Sequence, residues 1–166
     1  QMCIRDSLQL HDTPPVTIDA GGGSPWFGTE PTDQVFTVGA NGATNDNTRP
    51  IIAYCWAEIE NYSKIGRFFG NGDPDGPFVY CGFKPAFIIF KNADATGNWV
   101  MSDSSRDSSN PVFGYQVAEG SGIEERGNAL FDSLSNGFKI RNAWTSFNGN
   151  TNTIIFIAFA ESPFQT

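Results

Sequence analysis

The sequence is poor in the residues from which most active sites are built. It has one histidine, His11, and three cysteines without a CxxC pair. A zinc site therefore lacks its usual ligands. A serine hydrolase is also disfavoured, because there is no GxSxG nucleophile elbow and the lone histidine lies near the N-terminus. No GxGxxG or phosphate-binding loop occurs either, so no cofactor is expected.

Positive charge and long apolar stretches are scarce as well. Ten Lys and Arg stand against 18 Asp and Glu, which gives a net charge of -8. Binding to duplex nucleic acid depends on basic side chains that neutralise phosphates. No stretch approaches the roughly 18 apolar residues of a membrane-spanning helix, and there is no polybasic patch for a membrane surface. We therefore expect neither nucleic acid nor membrane insertion.

The first seven residues, QMCIRDS, are predicted to be foreign to the fold. They back-translate to the mosaic-end adapter of transposase-based sequencing libraries, and such added ends are excluded from fold reasoning. A native N-terminal segment is the alternative. On the adapter interpretation, residues 1–7 make no evolved contacts and Cys3 leaves the cysteine count. Both ends of the native protein are then expected to lie outside this metagenomic sequence.

Short apolar and aromatic segments between turn residues dominate the remainder. The 15 Phe, 18 Gly and 10 Pro fit many short strands joined by tight turns. This pattern predicts an all-β fold, an antiparallel β-sandwich of the jelly-roll or concanavalin-like type. Only residues 124–134 have helical character, which Gly127 weakens. The predicted strands are 34–38, 50–59, 64–69, 77–81, 86–91, 98–102, 112–117, 137–141 and 153–160.

Two of these strands are apolar on both faces. Residues 51–57 (IIAYCWA) and 154–160 (IIFIAFA) are predicted to be central strands covered from both sides. Cys55 lies in the first of them and Cys81 in another apolar run. Free cysteines are among the most buried residues, so two core thiols are favoured over a disulfide.

The sequence also contains an internal similarity. FTV at 36–38, an Asn/Gly-rich loop and IIAYCWAE at 51–58 reappear as FKI at 138–140, a second such loop and IIFIAFAE at 154–161. A period of roughly 100 residues indicates a duplicated unit, and chance similarity of strands is the alternative. We therefore predict that residues 8–60 form the C-terminal part of a first repeat and residues 61–166 a second, nearly complete sandwich.

A series of motifs follows this first segment. They are ENYSKIG at 60–66, GNGDPDGPFVY at 70–80, GFKPAF at 82–87, GNWV at 97–100, FDSLSNGF at 131–138 and IAFAESPF at 157–164. Together they resemble a repeat domain of tailed-phage structural proteins, common in marine phages. The resemblance implies a tail-fibre or tail-associated virion protein with a concanavalin-like sandwich, outside the cell. Its implied partners are other virion proteins and a host-surface glycan, and its implied assembly is a homotrimer. It brings no catalytic or binding residues.

Two groups of residues are candidates for a binding site. Trp99, Asp103 and Arg106 have the composition of a sugar site, an aromatic ring with polar neighbours, although a packed tryptophan with a structural ion pair is the alternative. Asp73 and Asp75 lie in a Gly-rich loop and could ligate calcium. That loop lacks the further ligands of a calcium site and is favoured as an ordinary turn, so no metal is expected.

Glu58 and Glu161 suggest a glycosidase, which usually needs two carboxylates at a fixed distance. Their equivalent places in the two repeats favour a structural role instead, and no catalytic residue is predicted. We expect a non-enzymatic phage virion structural protein, a tail-fibre or tail-associated segment that attaches to host-surface glycan. A free lectin-like glycan-binding module and a carbohydrate-degrading enzyme are the alternatives, because fold does not fix function.

Overall fold

The computed structural model describes residues 6–18, 32, 34–42 and 44–162. The chain divides into two units, residues 1–8 with 16–56 and residues 9–15 with 57–166. In the first unit, β1 (Asp6–Ser7) pairs antiparallel with β2 (Thr17–Ile18). Of the segment interpreted as an adapter, residues 1–5 with Cys3 lie outside the described residues, while residues 6 and 7 form β1. The adapter interpretation stays a prediction.

The described residues of the second unit form eight strands and one short helix. Its strands form one antiparallel sheet, and the helix lies between the last two of them. The elements are β3 (Ser63–Phe69), β4 (Phe78–Tyr80), β5 (Phe87–Asn92), β6 (Val100–Asp103), β7 (Val112–Val117), β8 (Glu125–Leu134), β9 (Gly137–Ile140), α1 (Thr145–Asn148) and β10 (Thr153–Phe159).

The order of strands in this sheet is β3-β10-β5-β6-β7-β8-β9-β4. Strands β5 to β9 form a meander in which each strand pairs with the next. Strand β10 returns to lie between β3 and β5, so it is hydrogen-bonded on both edges. The expectation of an all-β antiparallel fold is confirmed.

Aromatic side chains join the two halves of the sheet into a sandwich. Phe138 of β9 is fully buried. The centroid of its ring lies 5.4 Å from that of Phe90 in β5 and 5.3 Å from that of Phe156 in β10. Strand β9 is far from β5 and β10 in the strand order, so these contacts arise because the sheet folds over its own core. Phe68 and Phe131 pack against the same ring.

Residues 9–15 belong to this unit and are held by three hydrogen bonds. The Lys91 ammonium donates to the carbonyl of Thr13 at 3.1 Å, and the Gly97 amide donates to the same carbonyl at 3.0 Å. The Trp99 indole donates to the Gln9 carbonyl at 2.9 Å. Lys91 is fully buried, and this burial lowers its pKa. A charged amine with carbonyl partners can be buried at a tolerable energetic cost.

Two predicted strands are absent, and the one segment with helical character is a strand. Residues 34–38 and 50–58 contain no strand, and Ile52, Tyr54 and Trp56 are 76%, 74% and 62% exposed. The prediction of a central strand at 50–59 is therefore wrong. The matching sequence in β10 is covered because β3 and β5 flank it, whereas residues 51–58 pair with no strand in the described part of the chain. The duplication itself stays a prediction.

The segment 124–134, which has weak helical character in the sequence, contains β8 (Glu125–Leu134). Its residues from Phe131 to Leu134 pair in register with β9, from Ile140 back to Gly137. Tertiary strand pairing outweighs a weak local helical preference, as is common for residues near the middle of the propensity scale. The one helix of the described residues, α1, was not predicted; it buries Phe147 against Phe90 with ring centroids 5.6 Å apart.

The two described cysteines differ in environment. Both are free, but Cys81 is buried and Cys55 is exposed, so the prediction of two core thiols is wrong for Cys55. Cys55 lies in the uncovered segment 51–58 and shares its exposure. Burial raises the pKa of the Cys81 thiol to about 12.

We expect Cys55 to react with a thiol reagent at pH 8 roughly a hundredfold faster than Cys81, because the thiolate is the reactive form. The comparison uses two proteins, Cys3→Ser with Cys81→Ser and Cys3→Ser with Cys55→Ser, and a colorimetric disulfide reagent. Denaturant should make the two rates similar. Fast native labelling of Cys81 would contradict its placement in the core.

Replacing Phe138 should test the sandwich directly. Phe138→Ala removes the ring that contacts both halves of the sheet, and we expect a loss of about 3–5 kcal/mol in the free energy of unfolding. The control is Phe69→Ala in β3, whose side chain is 63% exposed and should cost about 1 kcal/mol at most. Denaturant unfolding measures both. Equal losses would show that Phe138 does not occupy the centre of the core.

Candidate functional site

A small open cleft of about 40 Å³ lies beside the loop that joins β6 to β7. Its buried floor contains Ile88, Val112 and Phe131, from three different strands of the sheet. Its rim is polar and comes mainly from the loop, whose sequence from residue 104 to 111 is SSRDSSNP. Lys84 and Pro85, which precede β5, complete the opposite side.

Asp107 organises the loop. Its side chain is 3% exposed, and its Oδ1 accepts hydrogen bonds from the amide and hydroxyl of Ser109 at 3.0 and 2.5 Å. Its Oδ2 accepts from the amides of Phe113 and Gly114 at 2.8 and 2.7 Å. The guanidinium of Arg126 lies 3.7 Å from the same oxygen. A buried carboxylate with this many donors is stable, and it fixes the loop against the start of β7.

The ionisation of Asp107 follows from these contacts. Burial raises its pKa, but the hydrogen bonds from Ser109, Phe113 and Gly114 have the larger combined effect and hold the pKa well below its usual value. The carboxylate is therefore charged at neutral pH, and both of its oxygens are already engaged. A group in this state is unsuited to act as a general acid, which needs a raised pKa.

Four polar groups at the cleft have no hydrogen-bond partner within the described ranges. They are the ammonium of Lys84, the hydroxyls of Ser104 and Ser108, and the side-chain amide nitrogen of Asn110, all among the residues that line the cleft. The amide oxygen of Asn110 is occupied, because it accepts from the amide of Ser133 at 2.8 Å. Exposed polar groups beside an apolar floor are a common composition of small-ligand sites. The arrangement can bind and orient a polar molecule.

The structure separates Trp99 from the other two predicted sugar-site residues, Asp103 and Arg106. Asp103 and Arg106 form an ion pair, and Arg106 also donates to the side chain of Gln116. Asp103 lines the cleft, whereas Arg106 lines a smaller adjacent hollow. Trp99 is only 7% exposed, and its indole is bound to Gln9. The prediction of an exposed aromatic platform at Trp99 is therefore wrong, because the ring is packed inside the domain.

Sequence reasoning missed the groups of the cleft rim. Ser104, Ser108 and Asn110 lie in a Ser-rich run whose composition is typical of any surface loop. Lys84 lies about twenty residues earlier in the sequence and approaches the loop only because β5 and β6 pair. No spacing rule links these positions, and only the sheet brings them together.

The Gly-rich loop of Asp73 and Asp75 is a hydrogen-bonded turn. Asp73 Oδ1 accepts from the Asp75 amide at 2.7 Å, and the Asp75 carboxylate lies 2.9 Å from Lys139 and 3.4 Å from Arg141. Both carboxylates therefore have protein partners. Among the described residues, no group of three or more His, Cys, Asp or Glu side chains could hold a metal ion.

The two glutamates of the glycosidase alternative do not form a site. Glu58 pairs with Lys64 at 2.8 Å, and this contact lowers its pKa. Glu161 is exposed after β10, and neither side chain lines the cleft. Glycoside hydrolysis needs a protonated carboxyl group with a raised pKa beside a second carboxylate. Glu58 has the opposite shift, so it does not meet that requirement.

The fold and the cleft define an all-β sandwich domain with a polar surface site. The chain belongs to the family described as Domain of unknown function (DUF7483), whose model matches residues 4–163. Searches of curated proteins and of solved structures each gave no match. No helix in the described ranges is long and apolar enough to cross a membrane.

Asp107→Asn should destabilise the domain by about 2–4 kcal/mol, because it weakens several hydrogen bonds to a buried charge. The pKa of Asp107 in the folded protein lies below its unfolded value of about 3.9. The stabilisation by the charged carboxylate is therefore present above that pH and is lost as the pH falls through the folded pKa. The difference in the free energy of unfolding between wild type and Asp107→Asn should therefore decrease below about pH 4. Denaturant unfolding at several pH values measures it.

Asp75→Asn is the matched control. It makes the same change in charge at a carboxylate that is 78% exposed, so we expect a much smaller loss of stability than for Asp107→Asn. Losses of equal size at the two positions, or a gap for Asp107→Asn that does not change with pH, would contradict the role assigned to Asp107.

Proposed function

We propose that this chain is a non-enzymatic structural segment of a phage virion, part of a tail fibre or tail-associated protein that attaches to glycan on the host surface. The observation that carries the proposal is the cleft beside the β6–β7 loop. It presents hydroxyl, amide and ammonium groups from Ser104, Ser108, Asn110 and Lys84. Both oxygens of its buried carboxylate, Asp107, accept hydrogen bonds from backbone amides.

The composition of the cleft supports binding over catalysis. Sugars offer many hydroxyl groups, which pair well with small hydroxyl and amide side chains. Catalysis of glycan cleavage would need a carboxyl group able to exchange a proton, and Asp107 is held in its charged form by its four hydrogen bonds. The motif series from residue 60 onward supports the placement in a phage virion.

The sandwich also suits a structural role. Phe138 and its aromatic partners form a packed core. Asp107 holds the loop in one geometry, so a ligand need not order it on binding. The proposal includes contact with other virion proteins and assembly as a homotrimer, as in the phage proteins that the motifs resemble. Sedimentation of the purified chain measures the oligomer directly.

A free lectin-like module is the second candidate, and the same cleft favours it. The two candidates differ in where the protein acts, on a virion or alone. An open reading frame that lies among tail-assembly genes would favour the virion segment, whereas an isolated gene with a secretion signal would favour the free module.

We expect the domain to bind at least one bacterial surface polysaccharide and Ser108→Trp to weaken that binding at least tenfold, because the indole would fill the cleft. Ser121→Trp is the control, since Ser121 is exposed in the loop between β7 and β8 and does not line the cleft. A polysaccharide array with labelled protein measures both.

The proposal would be contradicted if the folded domain bound no polysaccharide on the array. Equal binding by Ser108→Trp and Ser121→Trp would also contradict it. The non-enzymatic part has its own test. Release of reducing sugar by the wild type that Glu58→Gln or Glu161→Gln abolishes would favour the carbohydrate-degrading alternative.

A further inference from the structure

Residues 51–57 (IIAYCWA), here called the donor segment, are apolar and carry no charge. From 51 to 56 they make no hydrogen bond to another described residue, through either backbone or side chain. Ile52, Tyr54 and Trp56 are each more than half exposed, and the rings of the last two stack with centroids 6.3 Å apart. A run of β-branched and aromatic residues with unpaired backbone groups is suited to extend a sheet.

The sheet of the second unit ends in β3 at one edge and in β4 at the other. The β3 edge is protected. The carboxylate of Glu58 accepts a hydrogen bond from the amide of Ile65 at 3.3 Å, and β3 carries two positive charges, Lys64 and Arg67. Charged side chains are a common means by which an edge strand avoids pairing with another chain.

The β4 edge is open. Pro77 and Cys81, one residue beyond each end of β4, make backbone hydrogen bonds of 3.1 and 2.9 Å to the segment 136–140. Because hydrogen-bonded pairs alternate along antiparallel strands, the backbone groups of Phe78 and Tyr80 point away from β9. Those groups have no partner among the described residues, both side chains are exposed, and β4 contains no charged residue.

We propose that the donor segment of one copy of this chain pairs with the open edge of β4 in a second copy, and that this contact joins three copies into the homotrimer. The inference rests on the proposed function, because it names the surfaces of that assembly. The donor segment and the β4 edge are different surfaces, so the contact is heterologous, and heterologous contacts can close into a ring.

Charge favours a second copy of the chain at these two surfaces. With a net charge of -8, copies repel one another in general. The donor segment and β4 are both uncharged, so contact between them adds no repulsion of its own. The basic edge at β3 would leave its lysine and arginine without a partner against the same segment.

The contact has the components of β-augmentation, in which an extended segment adds a strand to a sheet edge. The outward backbone groups of Phe78 and Tyr80 would pair with those of the donor segment, and aromatic side chains on both would form cross-strand pairs. The similar sequence at 154–160 shows that this pattern is compatible with strand pairing, because β10 lies between β3 and β5.

Ile52→Lys tests the donor segment by sedimentation of the full chain. We expect the copies to associate at least about tenfold more weakly, because the ammonium would be desolvated without a partner. The matched control is Ile123→Lys, which makes the same change at a side chain that is 88% exposed in the loop between β7 and β8. Equal association by the two variants would overturn the inference.

Tyr80→Lys tests the β4 edge in the same way. Its matched control is Phe69→Lys on the protected edge, because the two aromatic side chains are 65% and 63% exposed. We expect Tyr80→Lys to weaken association and Phe69→Lys to leave it unchanged. Weaker association in Phe69→Lys alone would place the contact at β3 and overturn the assignment to β4.

Mixing Ile52→Lys with Tyr80→Lys tests the pairing of the two surfaces. The first variant keeps an intact β4 edge and the second keeps an intact donor segment, so one contact can form between them. At a concentration where each variant alone is monomeric, we expect the mixture to contain dimers. A mixture that stays monomeric would show that the donor segment does not pair with β4.

The outcomes also separate this inference from the proposed function. A wild-type chain that is monomeric and still binds polysaccharide would overturn the inference while the glycan-binding function stands. A trimer that both lysine variants disrupt, but that binds no polysaccharide, would support the inference and contradict glycan attachment.

Discussion

The packing of Phe138 against aromatic rings on the opposite half of the sheet is the contact on which the rest of the structure depends. Strand order alone would allow an open, twisted sheet, because among the described strands β9 has hydrogen-bonded neighbours only in β8 and β4. The rings of Phe90 and Phe156 supply the hydrophobic surface that draws the two halves together. Once the sheet is folded over, the ends of β5, β6, β7 and β8 are close enough to share one cleft.

The cleft in turn depends on one polar interaction. A loop of eight residues with four serines has little apolar surface to bury, and by itself it would sample many conformations. The buried carboxylate of Asp107 offsets this entropy through hydrogen bonds to Ser109, Phe113 and Gly114. The start of the loop is held separately, because the Ser104 amide donates to the Ala86 carbonyl at 2.8 Å.

Much of the sheet was predictable from the sequence, since its strands are short apolar runs bounded by turn residues. The prediction of 112–117 coincides with β7, and 64–69 differs from β3 by one residue. The failures have a common cause. Residues 51–58 and 154–161 share a sequence pattern, yet only the latter lie between two partner strands, and a pattern carries no information about its neighbours. Likewise β8 became a strand because β9 pairs with it.

The candidate site was less predictable, for a different physical reason. The sequence predicts Trp99 as a sugar-binding aromatic residue among polar ones. In the structure its indole donates to the carbonyl of Gln9, which is ninety residues away in sequence. The free groups of the cleft, by contrast, are residue types that most often serve as solvent-exposed loop positions. What distinguishes them is that they have no hydrogen-bond partner among the described residues. Their neighbours differ in this respect, because the Ser109 hydroxyl donates to Asp107 and the Asn110 side-chain oxygen accepts from Ser133. A candidate site made of hydrogen-bond donors without protein partners can therefore be identified only when the hydrogen bonds within the fold are known.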